Sequence, residues 1–241
     1  MTVPLLTAGL DAPHGFFTRA GGVSSGQFAT LNCSLSGRDD PAAVAENRSR
    51  ARTALGGPTL GGPALVGLFQ VHGPAVAVVE EPWGDEARPR ADALVTRRRG
   101  IALGIVTADC APVLFLDAVA GVAGAAHAGW RGALAGVLEA TVAAMERLGA
   151  ARGRIAAAIG PTIGQASYEV AADMRDAVLA ADPAHGRFFA DGARTDRWRF
   201  DLPAFYAAAL ARARVGQVID LGLDTYADPA RFFSYRRATH E

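Results

Sequence analysis

The chain has no lysine among its 241 residues, so all 24 of its basic side chains are arginine. That absence excludes a Schiff-base mechanism and any lysine acting as general base. Cysteine is nearly absent too. Two residues, Cys33 and Cys110, cannot build a disulfide framework or a four-cysteine metal cage. Histidine is scarce at five. No apolar run approaches the roughly 20 residues of a membrane span, and residues 1–10 lack the basic start and long apolar stretch of a signal peptide. The expected location is therefore the cytoplasm, with both thiols reduced. An excess of one charge is missing as well: 24 arginines meet 24 acidic residues, so no basic surplus points to nucleic acid or an anionic membrane as partner.

What is present is an apolar chain, 50% hydrophobic and long enough to bury a substantial core as one domain over residues 1–241. Residues 41–55 read as a helix, with Asp40 as N-cap, Pro41 in the first turn and Gly56-Gly57 as the stop; residues 60–63 read as a loop. Residues 113–117 and 122–126, joined by 118–121, read as an antiparallel hairpin. After Gly132, apolar residues at Leu134, Val137, Leu138, Thr141, Val142, Met145 and Leu148 keep helical spacing, as one helix laid on the sheet. Residues 155–159 and 218–221 read as strands, 171–181 and 202–214 as helices, and the polar stretch 182–199 as a long exposed loop. Hairpins together with covering helices favour an α+β fold, a layered sandwich of mixed β-sheet and helices.

Against this background three residues stand out. His72, Cys110 and His127 follow apolar runs at 64–71, 101–107 and 122–126, each of which reads as a strand. If those strands run the same way in one sheet, the three side chains gather along one edge. They are 38 and 17 residues apart, with no close pair of the zinc-finger kind. Three separated ligands suit an open metal site, in which a fourth position is left for water or substrate. The flanking Gln70-Val71-His72-Gly73, Thr107-Ala108-Asp109-Cys110-Ala111-Pro112 and His127-Ala128-Gly129-Trp130-Arg131-Gly132 are polar, glycine-rich inserts, where loops on a rigid scaffold carry chemistry. Cys33, in Leu31-Asn32-Cys33-Ser34, reads as a packing residue.

In these motifs the chain resembles the YfiH/laccase-domain family, known also under the names polyphenol oxidase, peptidoglycan-editing factor and purine nucleoside phosphorylase. The resemblance includes Gly15-Phe16-Phe17-Thr18-Arg19-Ala20-Gly21-Gly22-Val23-Ser24, Leu31-Asn32, Asp39-Asp40-Pro41, Glu46-Asn47-Arg48, the three ligand motifs, Ile159-Gly160-Pro161-Thr162-Ile163-Gly164 and Phe232-Phe233-Ser234-Tyr235-Arg236-Arg237. It implies a sheet-and-helix sandwich, zinc on the residues matching His72, Cys110 and His127, and phosphorolysis of purine nucleosides with some adenosine deamination. The chain departs from the family at Asp224, where many relatives carry a cysteine before the Thr225-Tyr226 pair, and beyond the paired arginines, where relatives commonly continue.

Zinc held by two imidazoles and a thiolate lowers the pKa of a bound water toward ~7 and polarises a substrate oxygen. Phosphorolysis needs a phosphate cradle besides, and the arginine fork suits that task at Arg19, Arg131 or Arg236. Asn32 is a candidate for hydrogen bonds to ribose or base, and Asp109 for accepting a proton or orienting a ligand imidazole. Trp130 and Phe232-Phe233 are candidates for stacking a purine. The glycines of 159–164 let backbone approach another segment or a ligand closely. Two further readings compete: copper in the same site as a phenol oxidase, since copper(II) outcompetes zinc for comparable ligands, and a metal-free hydrolase acting on peptidoglycan precursors, with Cys110 as nucleophile and His127 as its base.

Overall fold

The computed structural model describes residues 3–56 and 64–240. Gly57 and the expected loop at 60–63 lie outside the described residues. The fold is a mixed α+β sandwich built on a six-stranded sheet. The chain begins with a short antiparallel pair, β1 (Leu5–Leu6) and β2 (Phe16–Phe17), then α1 (Pro41–Gly56) and β3 (Ala64–Val66). It continues through β4 (Val76–Val78), β5 (Ala93–Thr96), β6 (Ile101–Leu103), β7 (Ala111–Asp117) and β8 (Val122–Ala128), then α2 (Trp130–Leu134), α3 (Val137–Arg147) and β9 (Ala156–Ile159). The last third carries β10 (Glu169–Val170), α4 (Ala172–Ala181), β11 (Phe189–Asp191), β12 (Trp198–Phe200), α5 (Leu202–Arg212), β13 (Gln217–Asp220) and α6 (Tyr235–His240).

The central sheet has the order β13-β9-β7-β8-β5-β4. Its outer pairs, β9 with β13 and β4 with β5, are parallel; the inner pairs are antiparallel. Alternation along each strand sorts the core into two layers. Val113, Phe115, Ala126 and Ile159 face a cluster shared with α3 and α5, while Leu94 packs with Val66 and Leu68, and Ala158 with Phe16. α3 and α5, together with β10, β11 and β12, therefore cover one face, and β3, β6 and the N-terminal pair cover the other. No helix among the described residues is long and apolar enough to cross a membrane.

Local sequence signals explain much of this. Asp40 Oδ1 accepts the Ala42 amide at 3.0 Å, and the helix begins at Pro41. The hairpin closes in the expected register, with Asp117 opposite Val122. In α3 the expected apolar stripe, Val137, Leu138, Thr141, Val142 and Met145, is buried.

Four expectations need correction. The runs at 64–71 and 101–107 leave the ladder at Val66 and Leu103, and they pair in parallel as a separate two-stranded sheet rather than joining β8. Past Gly67 and Gly104 the two segments are held together instead by the Gln70 amide, which donates to the Val106 carbonyl at 2.8 Å and accepts its amide at 3.0 Å. His127 is not beyond a strand end but inside β8. The helix after Gly132 begins at Trp130 and breaks at Gly136, whose φ of +89° is open to glycine at little cost. Residues 182–199 are not an exposed loop: a 3₁₀ turn at Pro183–Phe188 leads into β11 and β12, which with β10 form a three-stranded antiparallel sheet. Aromatic residues interleaved with the polar ones drive that packing, with Phe189 against Phe200 at 4.7 Å and Phe188 against Phe205 at 5.4 Å between ring centroids.

Candidate metal centre

The antiparallel register of β7 and β8 sets two of the three candidate ligands side by side. Pro112 lies opposite His127 and Ala111 opposite Ala128, so Cys110, just before β7, sits beside the end of β8. Ala126 and Ala128 face the helices, so His127 between them points to the other side, where the loop after β3 arrives with His72. One ligand atom from each of His72, Cys110 and His127 lies within 4.8 Å of the others, an arrangement that could hold a metal ion. Cys110 Sγ is 3.9 Å from His72 Nε2; bonds of about 2.0 Å to nitrogen and 2.3 Å to sulfur in a tetrahedron set that edge near about 3.5 Å. Gly129 makes room for the cluster. A Cβ there would fall 2.8 Å from His72 Cδ2 and 3.0 Å from Cys110 Sγ.

The organiser of the site is Asp92, fully buried, which the sequence analysis did not single out. Its carboxylate accepts from His127 Nδ1 at 2.8 Å and from three consecutive amides, Val71 at 3.1 Å, His72 at 2.9 Å and Gly73 at 2.7 Å. Burial alone would raise its pKa, but the hydrogen bonds from His127 and those amides outweigh it and hold the carboxyl below its usual range. An ionised carboxylate only accepts, so the His127 proton belongs on Nδ1 and the lone pair on Nε2 is left for a metal. The same carboxylate holds His72 at φ +61°, a left-handed conformation uncommon outside glycine. Burial, then the neighbouring His127 and Arg131, lowers the His72 pKa against the opposing pull of Asp92, and keeps the ring neutral. The one sequence signal for Asp92 is a lone acid at the mouth of an apolar strand.

Cys110 is half-buried, and its thiol is pushed up to about 12, first by desolvation and then by the negative charges of Asp109 and Asp92. Without a cation beside it, this sulfur stays protonated at neutral pH. The chemistry of the donor set thus fits a metal and does not fit a free thiolate nucleophile.

The other expected residues surround a cleft of about 1220 Å³ that opens onto the three ligands, but most are committed elsewhere. Asp109 accepts Thr225 Oγ1 at 2.6 Å on one carboxylate oxygen, and Ser234 Oγ at 2.9 Å and the Arg236 amide at 2.7 Å on the other. It ties down the C-terminal segment. Arg19 donates to the Ala29 and Pro229 carbonyls and stacks on Phe233. Asn32 donates to Asp39 and accepts the Ser34 amide. Arg236 donates to the Glu169 carbonyl and lies over Tyr168. Arg131, exposed and stacked on Trp130 at 4.4 Å, has no acceptor for its guanidinium among the described residues. Phe232 is buried in the wall of the cleft, which Phe233, Trp130 and Tyr168 also line. The glycines of 159–164 serve protein packing: a Cβ on Gly160 would fall 2.3 Å from Phe16, and one on Gly164 would fall 2.8 Å from Asp224.

A family model described as multi-copper polyphenol oxidoreductase laccase matches residues 13–241. A purine nucleoside phosphorylase of Streptomyces coelicolor is 49% identical over 173 residues, 72% of this chain and 70% of that one. Another, of Deinococcus radiodurans, is 44% identical over 238 residues, 98% of this chain and 88% of that one. Among solved structures, the hypothetical protein YfiH of Bacillus licheniformis superposes with a TM-score of 0.84 at 30% identity, covering 93% of this chain and 87% of that one.

Proposed function

The chain belongs to the multi-copper polyphenol oxidoreductase laccase family, the YfiH-like proteins, and we propose that this member is a zinc-dependent purine nucleoside phosphorylase. It would convert adenosine, inosine or methylthioadenosine with phosphate into free base and ribose 1-phosphate, with adenosine deamination as a side activity, in the cytoplasm. The observation that carries this reading is the His-Cys-His cluster opening into a cleft lined by the guanidinium of Arg131, which has no acceptor among the described residues. The names of the relatives at 49% and 44% identity support it.

Zinc, when bound, supplies positive charge to polarise an oxygen and lowers the pKa of a bound water toward ~7. The protein supplies the rest. His127 is fixed by Asp92 with Nε2 free, His72 stays neutral, and Gly129 keeps clear the space beside His72 and Cys110. Arg131 offers phosphate a planar fork of donors, and Arg236 and Arg19 line the same cleft. Trp130 and Tyr168 give the purine two aromatic faces.

Copper in the same three ligands, acting on phenols, is the second reading, favoured by the description of the family model. Five histidines in all are too few for a trinuclear copper centre. The peptidoglycan hydrolase reading asks His127 to take the Cys110 proton, whereas the ring nitrogen that meets Cys110 Sγ, at 3.9 Å, is His72 Nε2.

Product analysis of the purified protein tests the proposal. With inosine it should release hypoxanthine and ribose 1-phosphate only when phosphate is present. Release of free ribose at the same rate without phosphate would make it a hydrolase, and oxidation of a phenol by the copper-loaded form with no nucleoside turnover would favour the second reading.

A further inference from the structure

A second cleft, of about 660 Å³, opens beside the first and shares Trp130, Arg131, Tyr168 and Arg236 with it. Arg197 and Arg199 line its far side. They stand two residues apart at the head of β12, so they leave the same face of the strand, while Trp198 packs against the core and Phe200 is buried in it. Neither guanidinium has an acceptor among the described residues, and the nearby ion pairs, such as Arg194 with Asp196, leave both out. Two carboxylates share the cleft, Glu169 and Asp173, and Glu169 Oε2 already accepts the Ala193 amide at 2.8 Å. Four arginines against two acids leave the cleft net positive in a chain whose overall charge is zero.

Unpaired guanidinium groups gathered around one concavity repel one another, and a doubly charged anion with several acceptor oxygens relieves that repulsion while matching their planar forks. We propose that Arg197 and Arg199, with Arg131 at the junction, form a subsite for a phosphate-type dianion. Its source is either inorganic phosphate or the monoester group of a nucleotide whose nucleoside part lies in the first cleft. In joining the two clefts through one substrate the inference rests on the nucleoside reading above; the anion site itself rests on the arginines.

Calorimetric titration of the metal-loaded protein with inorganic phosphate, adenosine and adenosine 5′-monophosphate tests it. Wild type should bind phosphate, and the double variant Arg197→Ala/Arg199→Ala should bind it about tenfold more weakly or worse, as loss of charged contacts predicts, with adenosine binding unchanged. The lysine double variant, which keeps the charge and loses the fork, should fall between, and Arg187→Ala, outside the cleft, should match wild type. If the monoester is the source, the nucleotide binds at least tenfold tighter than adenosine, and that advantage disappears in the double variant. If free phosphate is the source, the nucleotide shows no advantage. Equal phosphate and nucleotide affinities in wild type and double variant would overturn the proposal even where phosphorolysis of inosine persists. Weakened anion binding in the variant, with no phosphorolysis in wild type, would keep the subsite and remove the nucleoside reading instead.

Discussion

Asp92 and His127 are joined twice: the Nδ1 proton of His127 goes to Asp92 Oδ1 at 2.8 Å, and the His127 amide donates to the Asp92 carbonyl at 2.7 Å. Through the same carboxylate, the loop that carries His72 is locked to the strand that carries His127. The two candidate ligands are therefore oriented by one buried acid.

Asp92→Asn should weaken metal binding by about 10- to 100-fold, the usual cost of removing a partner that orients a ligand. An amide has one acceptor oxygen, and it cannot serve His127 and the three loop amides together. Competition against a chelator of known affinity measures the loss. Equal affinities for wild type and variant would dismiss Asp92 as the organiser.

Gly129 has φ −79° and ψ 163°, which alanine adopts without strain, so Gly129→Ala tests space alone. Its new methyl would press on His72 and Cys110. The variant should keep its circular dichroism spectrum while metal affinity falls by roughly tenfold or more. Full metal occupancy at wild-type affinity would show that the cluster does not need this gap.

Metal binding should be steeply pH-dependent, because the Cys110 thiol, held up to about 12 by burial and by Asp109 and Asp92, must surrender its proton to become a ligand. Apparent affinity should rise about tenfold per unit between roughly pH 7 and 9, with about one proton released per ion. Calorimetry in two buffers of different ionisation enthalpy counts that proton, and no release would rule out Cys110 as a ligand. In the metal-free protein the linkage has a definite sign. The folded-state pKa lies above the ordinary value of 9.0, so the stability tied to the neutral thiol is complete below about pH 9 and is lost as pH rises toward about 12. Cys110→Ala should flatten that alkaline slope in urea titrations.

The scarcity of histidine and cysteine marked His72, Cys110 and His127 as candidate ligands, and local pattern in the chain placed the β7–β8 hairpin, the cap of α1 and the buried stripe of α3. Each depends on residues a few positions apart, where helical or strand periodicity and turn chemistry act directly. Tertiary structure alone decided the rest. The strand runs at 64–71 and 101–107 have the same apolar signature as β8, and nothing local says which sheet each joins. Asp109 resembles any turn carboxylate until Thr225, 116 residues away, and Ser234, 125 residues away, close on its two oxygens. Arg19 is as free in sequence as Arg131, yet the carbonyl of Pro229, 210 residues on, claims one of its nitrogens. A polar side chain's task is set by which partner reaches it first, and for Asp92, Asp109 and Arg19 those partners arrive only when the whole sandwich has closed.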